Sequence, residues 1–421
     1  MPIAKIISEV AGAMLHSILF NYVFIFIYVI VIVFIRKQYE KYLEFYRETS
    51  GYPAKSLRNM IEEIILAGLV AGFITSLVVV FTGITISLET FNYLFLIMAF
   101  LLFVNIRYVC FSYAGGILAA FSLVFKRPDV NITSVLMLVA ILHLIEGILI
   151  LINAGKDNVP IIIKSKDGIT GAFITQRFWP IPVVLLTILQ EGQGLGFVQN
   201  IEAAWWPLFS EGLIKQAMPA LGFASLLAII NYSEVAITRP PERVSRSNAA
   251  YILAFSFVML LIAIASEKIF AFKILGVIFA VAAHEMIILH SNRREQQGKP
   301  LFEPVERGLR ILDVLPYSNA EKIGLKRGDI ILQINGKDIQ TEDGVREVLK
   351  SYPNFVWINA KMWDGREKTY EYRFFPSGIN NLGIVSVPRE REVTYNINYF
   401  QNLSIIRNLV ARFKGFNRSA G

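Results

Sequence analysis

The first 291 residues of the chain consist largely of long apolar runs separated by short polar stretches. A helix that crosses a lipid bilayer needs about 20 mostly apolar residues. The candidate spans cover residues 15–35, 64–86, 91–106, 109–125, 130–152, 178–189, 214–232, 249–265 and 269–289. The run 91–106 is short, and the run 178–189 contains Pro180 and Pro182, so it can also be a re-entrant segment. The pattern predicts a polytopic α-helical membrane domain of about eight or nine spans over residues 1–291.

The composition agrees with a membrane domain. Of the 421 residues, 54% are hydrophobic and 18% are charged, whereas an average soluble domain carries about 25% charged residues. The net charge is +8, but the basic residues are scattered and no basic-aromatic module accompanies them. We therefore expect no nucleic-acid binding. The single cysteine, Cys110, lies in an apolar run and cannot form an internal disulfide. We expect no cofactor.

Basic residues between the apolar runs predict the orientation of the chain, because cytoplasmic loops are enriched in Lys and Arg. Residues 36–58 and 239–246 are basic segments, and Arg293 and Arg294 follow the last run. With nine spans, all three places lie on the cytoplasmic side. The prediction is a multi-pass protein of the cell membrane with a cytoplasmic C-terminal domain. If residues 178–189 do not cross, the loops upstream of them change sides.

Residues 308–386 have the pattern of a water-soluble domain. Alternating apolar residues predict strands at 309–314, 330–334, 356–362 and 370–374. The pairs Asn335-Gly336 and Asp364-Gly365 are typical of tight hairpin turns. Segments 320–323 and 341–350 are predicted helices, with Thr341 as the N-cap of the second. The sequence therefore predicts a C-terminal α+β domain after the membrane domain.

The run GLRILDVLPYSNAEKIGLKRGDIILQINGK, residues 308–337, resembles bacterial PDZ domains over its whole length. The resemblance implies a module that binds an extended peptide beside a free strand edge. We expect this edge at residues 309–314 and the opposite wall at the helix 341–350. The predicted groove residues are Gly308, Leu309, Arg310, Ile311, Val345 and Leu349. The apolar members of this set can equally belong to the core of the domain.

Two polar segments flank this domain. Residues 292–307 form a short linker that is expected to hold the domain close to the membrane surface. Residues 387–421 form a basic tail, in which apolar residues recur at helical spacing between 399 and 416. This tail fits an amphipathic helix on a membrane of anionic lipid. It fits a helix that packs on the PDZ-like domain equally well.

Ionisable residues inside apolar runs are costly and often mark function. Four such residues form the candidate intramembrane polar cluster: His143, Glu146, His284 and Glu285. A zinc protease would need histidine at position 288, where this chain has isoleucine. His290 lies six residues after His284 and so faces another side of the helix. We therefore expect no catalytic residues and no metal, and a structural polar clamp within or between these helices.

Along the chain, many predicted spans are followed by one C-terminal PDZ-like domain, and the motifs QRFWPIPV, AAHE and RREQQGKPLF occur in this order. This arrangement resembles the MinJ family of Gram-positive bacteria. The resemblance implies a non-enzymatic adaptor in division-site selection at the septum and poles, which links DivIVA-type proteins to MinC–MinD-type proteins. Two alternatives stay open: a PDZ-regulated intramembrane protease, and a transporter or secretion subunit with a regulatory PDZ-like domain. The oligomeric state is not predicted.

Overall fold

A computed structural model describes residues 2–50, 56–165, 168–188, 207–208, 221–351, 354–374, 379 and 381–389. Within these residues the chain forms a helical part that encloses a three-stranded sheet, followed by a β-rich C-terminal domain. Residues 390–421 lie outside the described residues, so the amphipathic helix in the tail stays a prediction.

Eight helices build the described portion of the apolar part. They are α1 (Pro2–Leu19), α2 (Tyr22–Ser50), α3 (Leu57–Thr82), α4 (Leu88–Val104), α5 (Phe111–Phe125), α6 (Ile132–Leu149), α7 (Pro241–Lys268) and α8 (Phe270–Gln297). Side-chain caps fix the starts of α4 and α6: the Ser87 side chain accepts a hydrogen bond from Thr90 N, and the Asn131 side chain accepts one from Ser134 N. Gly83, in the left-handed conformation, ends α3.

Five helical stretches in the described residues are long and apolar enough to cross a membrane. They are Tyr22–Glu48, Leu57–Thr82, Ile132–Asn153, Pro241–Lys268 and Phe270–Gln297. Two shorter apolar helices, α4 and α5, occupy two further predicted runs. The count of eight or nine spans is therefore not confirmed. The predicted span 15–35 is also wrong as one helix: α1 ends at Leu19, and the Asn21 side chain accepts a hydrogen bond from Phe24 N to start α2.

The predicted spans 178–189 and 214–232 are wrong, because their described residues form β-strands. β1 (Val159–Ser165), β2 (Gly168–Ile188) and β3 (Leu221–Ala236) pair antiparallel in the order β1-β2-β3. The sheet is enclosed by helices, so both faces of β2 are buried. A strand buried on both faces is apolar without alternation, and its pattern cannot be distinguished from that of a buried helix.

The far half of β2 pairs with β3 on one edge and contacts α3 on the other. On this second edge, Pro180 and Pro182 lack N–H groups, and their carbonyl oxygens meet α3 where Gly68 and Gly72 leave room. Val184 N donates to the Ser76 hydroxyl of α3 at 2.8 Å. The missing donors and the serine hydroxyl allow a strand edge to lie against a helix without orphaned N–H groups at these positions.

The C-terminal domain confirms the strands, helices and turns predicted for residues 309–374. Its strands are β4 (Leu309–Val314), β5 (Ile330–Ile334), β6 (Lys337–Asp338), β7 (Phe355–Lys361), β8 (Glu367–Arg373) and β9 (Ile384–Val387). Its helices are α9 (Asn319–Ile323) and α10 (Glu342–Ser351). The sheet order is β8-β7-β5-β4-β9, with β6 attached to β5. Thr341 caps α10 by accepting a hydrogen bond from Gly344 N. Strand β9 was not predicted.

The C-terminal domain is docked on the helical part. Leu312 and Val387 share a buried apolar cluster with Ile162 and Phe173 of the three-stranded sheet. The Arg327 guanidinium lies 4.2 Å from the Phe173 ring centre, 3.0 Å from Asp313 and 3.1 Å from Glu242 of α7. Because α8 continues to Gln297, the predicted linker 292–307 is helical over its first six residues. The domain is therefore held by side-chain contacts as well as by its linker.

Candidate functional site

Strand β4 is not a free edge, which corrects the predicted peptide-docking position. On one side, Leu309 and Arg310 pair with β5. On the other side, residues from Arg310 to Val314 pair with β9. The apolar groove residues lie in the core instead: Leu309, Ile311, Val345 and Leu349 are at most 5% exposed. The sequence could not show this because β9 is short and lies about seventy residues further along the chain.

The remaining predicted groove residues lie at the start of β4. Gly308 has φ +94°, and a Cβ there would collide with the Ile331 carbonyl oxygen, so this position requires glycine. The Arg310 guanidinium lies 5.9 Å from the ring centre of Trp363. Burial lowers the pKa of this guanidinium. Gly308 thus lies against β5, and Arg310 contacts Trp363.

Strand β9 is the terminal strand of the sheet, and its outer edge faces α10. Ser386 N points away from β4 and donates to the Glu342 carboxylate of α10 at 3.2 Å, and the Ser386 hydroxyl donates to the same oxygen at 2.7 Å. By strand alternation, the backbone groups of Ile384 point to the same edge. Gly383 before it is left-handed, with φ +77°. The outer backbone groups of β9 therefore point toward α10, where the Glu342 carboxylate is bonded to them. All four residues of this strand are buried.

A second polar site lies among the apolar helices. Here the structure brings together three of the four residues of the predicted polar cluster. His143 and His284 have ring centres 5.1 Å apart, and Glu146 Oε2 lies 3.7 Å from His143 Nε2. Glu285 instead bonds the Arg107 guanidinium and the Tyr113 hydroxyl. The two imidazoles thus lie next to each other between α6 and α8, while Glu285 joins α8 to the start of α5. A structural clamp formed by these residues stays a prediction.

Cys110 is the member of this site that sequence reasoning missed. Its Sγ lies 3.2 Å from His143 Nε2 and 3.8 Å from His284 Nε2. It precedes α5 directly and caps that helix. In the sequence Cys110 is only a small residue in an apolar run, so no local signal connects it with two histidines that are 33 and 174 residues away.

A cavity of about 260 Å³ opens beside this site. Its far wall is polar, because the Glu234 carboxylate accepts hydrogen bonds from Asn248 at 2.7 Å and from Ser291 at 3.3 Å. His290 takes no part in it, since its ring packs edge-on against Tyr251. The cavity therefore connects a cysteine–histidine cluster with a half-buried carboxylate on β3.

Comparison with known proteins gives independent findings. Residues 310–355 match the model of the PDZ domain family. A 262-residue stretch is 22% identical to the cell division topological determinant MinJ of Bacillus subtilis, and the match covers 62% of this chain and 62% of that relative.

Two solved structures are similar to part of this chain. The PDZ domain of an SdrC-like protein from Listeria monocytogenes is 20% identical, with 20% of this chain and 93% of that chain covered and a TM-score of 0.17. The corresponding domain from Listeria innocua is 19% identical, with 21% and 99% covered and a TM-score of 0.17.

Proposed function

We propose that this protein is a non-enzymatic membrane adaptor in cell division whose PDZ domain binds partner proteins along β9. The observation that carries the proposal is the terminal strand β9, whose outer edge faces α10 in a domain that matches the PDZ family. An extended peptide gains main-chain hydrogen bonds by adding to such an edge. The groove residues proposed for this role are Ile384 and Ser386 on the strand and Glu342 on the helix.

Placement at the cell membrane is part of the same proposal. Five described helices are long and apolar enough to cross a bilayer, and Arg293 and Arg294 lie near the end of the last one. Basic residues favour the cytoplasmic side. In this arrangement the protein is multi-pass, the PDZ domain is cytoplasmic, and membrane lipid surrounds the helical part.

The biological context is proposed from the relative. Because MinJ of Bacillus subtilis is a cell division topological determinant, we assign this protein to division-site selection. The expected location is the septum and the cell poles. The expected partners are proteins of the DivIVA and MinC–MinD types, which the adaptor would bridge.

Proline at position 386 tests the groove directly. Ser386→Pro removes the outward N–H of β9 while the neighbouring residues keep their pairing with β4. The matched control is Ser386→Ala, which keeps that N–H and loses only the hydroxyl. Both full-length variants are crosslinked in native membranes, and the recovered division proteins are quantified. We expect recovery to fall at least tenfold for Ser386→Pro and to change little for Ser386→Ala.

Fluorescent fusions of the same variants give the second readout. The proposal predicts that partner proteins lose their septal position only with Ser386→Pro. If this variant accumulates to wild-type levels and still recruits every partner, binding does not use β9. A charged substitution at Ile311 is unsuitable as a test, because this side chain is 0% exposed and the domain would unfold.

A further inference from the structure

The cluster of Cys110, His143 and His284 has the composition and spacing of a metal site. One ligand atom from each residue lies within 4.8 Å of the others. The three residues come from the N-cap of α5, from α6 and from α8, so a bound ion would connect three helices. Thiolate sulfur and imidazole nitrogen are the ligand types that zinc takes in proteins.

The distances agree with a shared tetrahedral ion. Zn–S bonds of about 2.3 Å and Zn–N bonds of about 2.0–2.1 Å, at tetrahedral angles, separate sulfur and nitrogen by roughly 3.5 Å. The observed separations from Cys110 Sγ are 3.2 Å to His143 Nε2 and 3.8 Å to His284 Nε2. They bracket the tetrahedral value, and an ion would require only small side-chain movements.

The surroundings prepare these atoms for coordination. The ring of His143 bonds the Val139 carbonyl oxygen through Nδ1 at 2.7 Å. A carbonyl accepts only, so Nδ1 carries the proton and Nε2 presents its lone pair to the cluster. His284 is 5% exposed, and its Nδ1 has no hydrogen-bond partner among the described residues. A buried imidazole with an unpaired nitrogen is costly, and a Zn–Nε2 bond would offset part of that cost.

Charge balance identifies the fourth ligand. Cys110 as thiolate and two neutral imidazoles leave a Zn²⁺ ion with one positive charge, which is unfavourable among apolar helices. The Glu146 carboxylate lies 3.7 Å from His143 Nε2 but outside the group of ligand atoms that are within 4.8 Å of one another. It would supply the missing negative charge after a change of its side-chain rotamer. We propose that Cys110, His143, His284 and Glu146 bind one Zn²⁺ ion that fastens α5, α6 and α8 together. On binding, the thiol gives up its proton to solvent as the Zn–S bond forms.

Metal content and cobalt spectroscopy test this site in the full-length protein, purified in detergent without a polyhistidine tag. We expect one tightly bound Zn²⁺ per chain. After exchange for Co²⁺, we expect a sulfur-to-cobalt charge-transfer band in the near ultraviolet. Because Cys110 is the single cysteine of the sequence, this band can come from no other residue. Excess chelator should remove both the ion and the band.

Variants separate the site from adventitious binding. Cys110→Ser and His284→Ala should weaken zinc binding more than about 100-fold, since even outer-shell changes cost 10–100-fold. The control His290→Ala removes another histidine of α8 and should bind zinc as the wild type does. Modification of Cys110 by a maleimide should be slow with zinc and fast after chelation.

Several outcomes would overturn the proposal. They are a wild-type protein without stoichiometric zinc, cobalt binding without the charge-transfer band, or zinc binding that Cys110→Ser leaves unchanged. If the variants do not accumulate, the wild-type cobalt spectrum and the chelator-dependent thiol labelling decide alone. A cluster held only by hydrogen bonds would show neither the charge-transfer band nor a chelator-dependent rate of thiol labelling.

Discussion

At the scale of single residues, two glycines and two prolines fix the contact between α3 and β2. Gly68 and Gly72 lie one helical turn apart on one face of α3. A Cβ at either position would overlap a proline carbonyl oxygen of β2, Pro180 in the first case and Pro182 in the second. The close contact between α3 and β2 is possible because the two glycines have no side-chain carbons and the two prolines have no N–H hydrogens.

Gly72→Ala should therefore destabilise the helical part by about 1–3 kcal/mol, the usual cost of overpacking. The measurement is the apparent melting temperature in detergent, followed by tryptophan fluorescence, since Trp179 of β2 is buried beside this contact. Gly12→Ala on α1 is the control, because nothing lies within 4 Å of its added Cβ. Equal melting temperatures for the two variants would contradict the close α3–β2 contact.

Ser76→Ala removes the one side-chain acceptor that the described structure gives to Val184 N. A buried N–H without a partner costs about 1–3 kcal/mol, so this variant should also lower the apparent melting temperature. Ser8→Ala loses only an exposed hydroxyl contact to the Lys5 carbonyl and serves as the comparison. A wild-type melting temperature for Ser76→Ala would mean that Val184 N finds another partner.

At the scale of elements, the outer edge of β9 is partly occupied by the protein itself. Glu342 accepts two hydrogen bonds from Ser386, so an incoming peptide has to compete with this carboxylate for the same N–H. Hydrogen bonds to charged groups contribute about 1.5–3 kcal/mol. A peptide that binds along β9 would therefore have to gain more free energy than the hydrogen bonds to Glu342 contribute.

Glu342→Ala should raise the affinity for a β9-binding peptide roughly tenfold, because the competing acceptor is lost and the backbone is unchanged. Isothermal titration with the full-length protein measures this. Asp343→Ala is the matched control, since its carboxylate is the next one in the same turn and bonds only Arg346 in the described contacts. An unchanged or lower affinity for Glu342→Ala would show that Glu342 does not restrain the groove.

The elements that sequence patterns predicted correctly are those with local signals. The turns at Asn335-Gly336 and Asp364-Gly365, and the alternation of the strands around them, depend on neighbouring residues only. The long strand β2 could not be recognised, because burial on both faces removes alternation. The groove edge and the Cys110 cluster could not be recognised either, since both depend on segments that are distant in the sequence.

At the scale of the whole molecule, the docking of the C-terminal domain depends on one basic residue and a small apolar cluster. Arg327 contacts Asp313 within its own domain and Glu242 and Phe173 outside it. Burial raises the pKa of the Asp313 carboxyl, against the effect of Arg327. The apolar contribution comes from Leu312 and its neighbours. Without these contacts the domain would be tethered only through its linker.

The double variant Arg327→Ala, Leu312→Ser should release the domain from the helical part. We expect faster proteolytic cleavage of the linker between residues 298 and 307, by about tenfold or more, since opening then exposes this segment. Arg366→Ala is the control, because Arg366 pairs with Asp364 on the exposed surface of the same domain. A cleavage rate equal to that of the control would contradict the docked arrangement.

The buried edge of β2 also has a consequence for biogenesis. In lipid, a strand cannot stand alone, because every backbone N–H and C=O needs a partner. α3 precedes β2 in the sequence, so Gly68, Gly72 and Ser76 of α3 have been synthesised when β2 emerges. The other edge of β2 needs β3, which begins at Leu221, after β2 has ended at Ile188. In the proposed membrane location, insertion of this region would be a cooperative step that begins on α3 and is completed only when β3 has been synthesised.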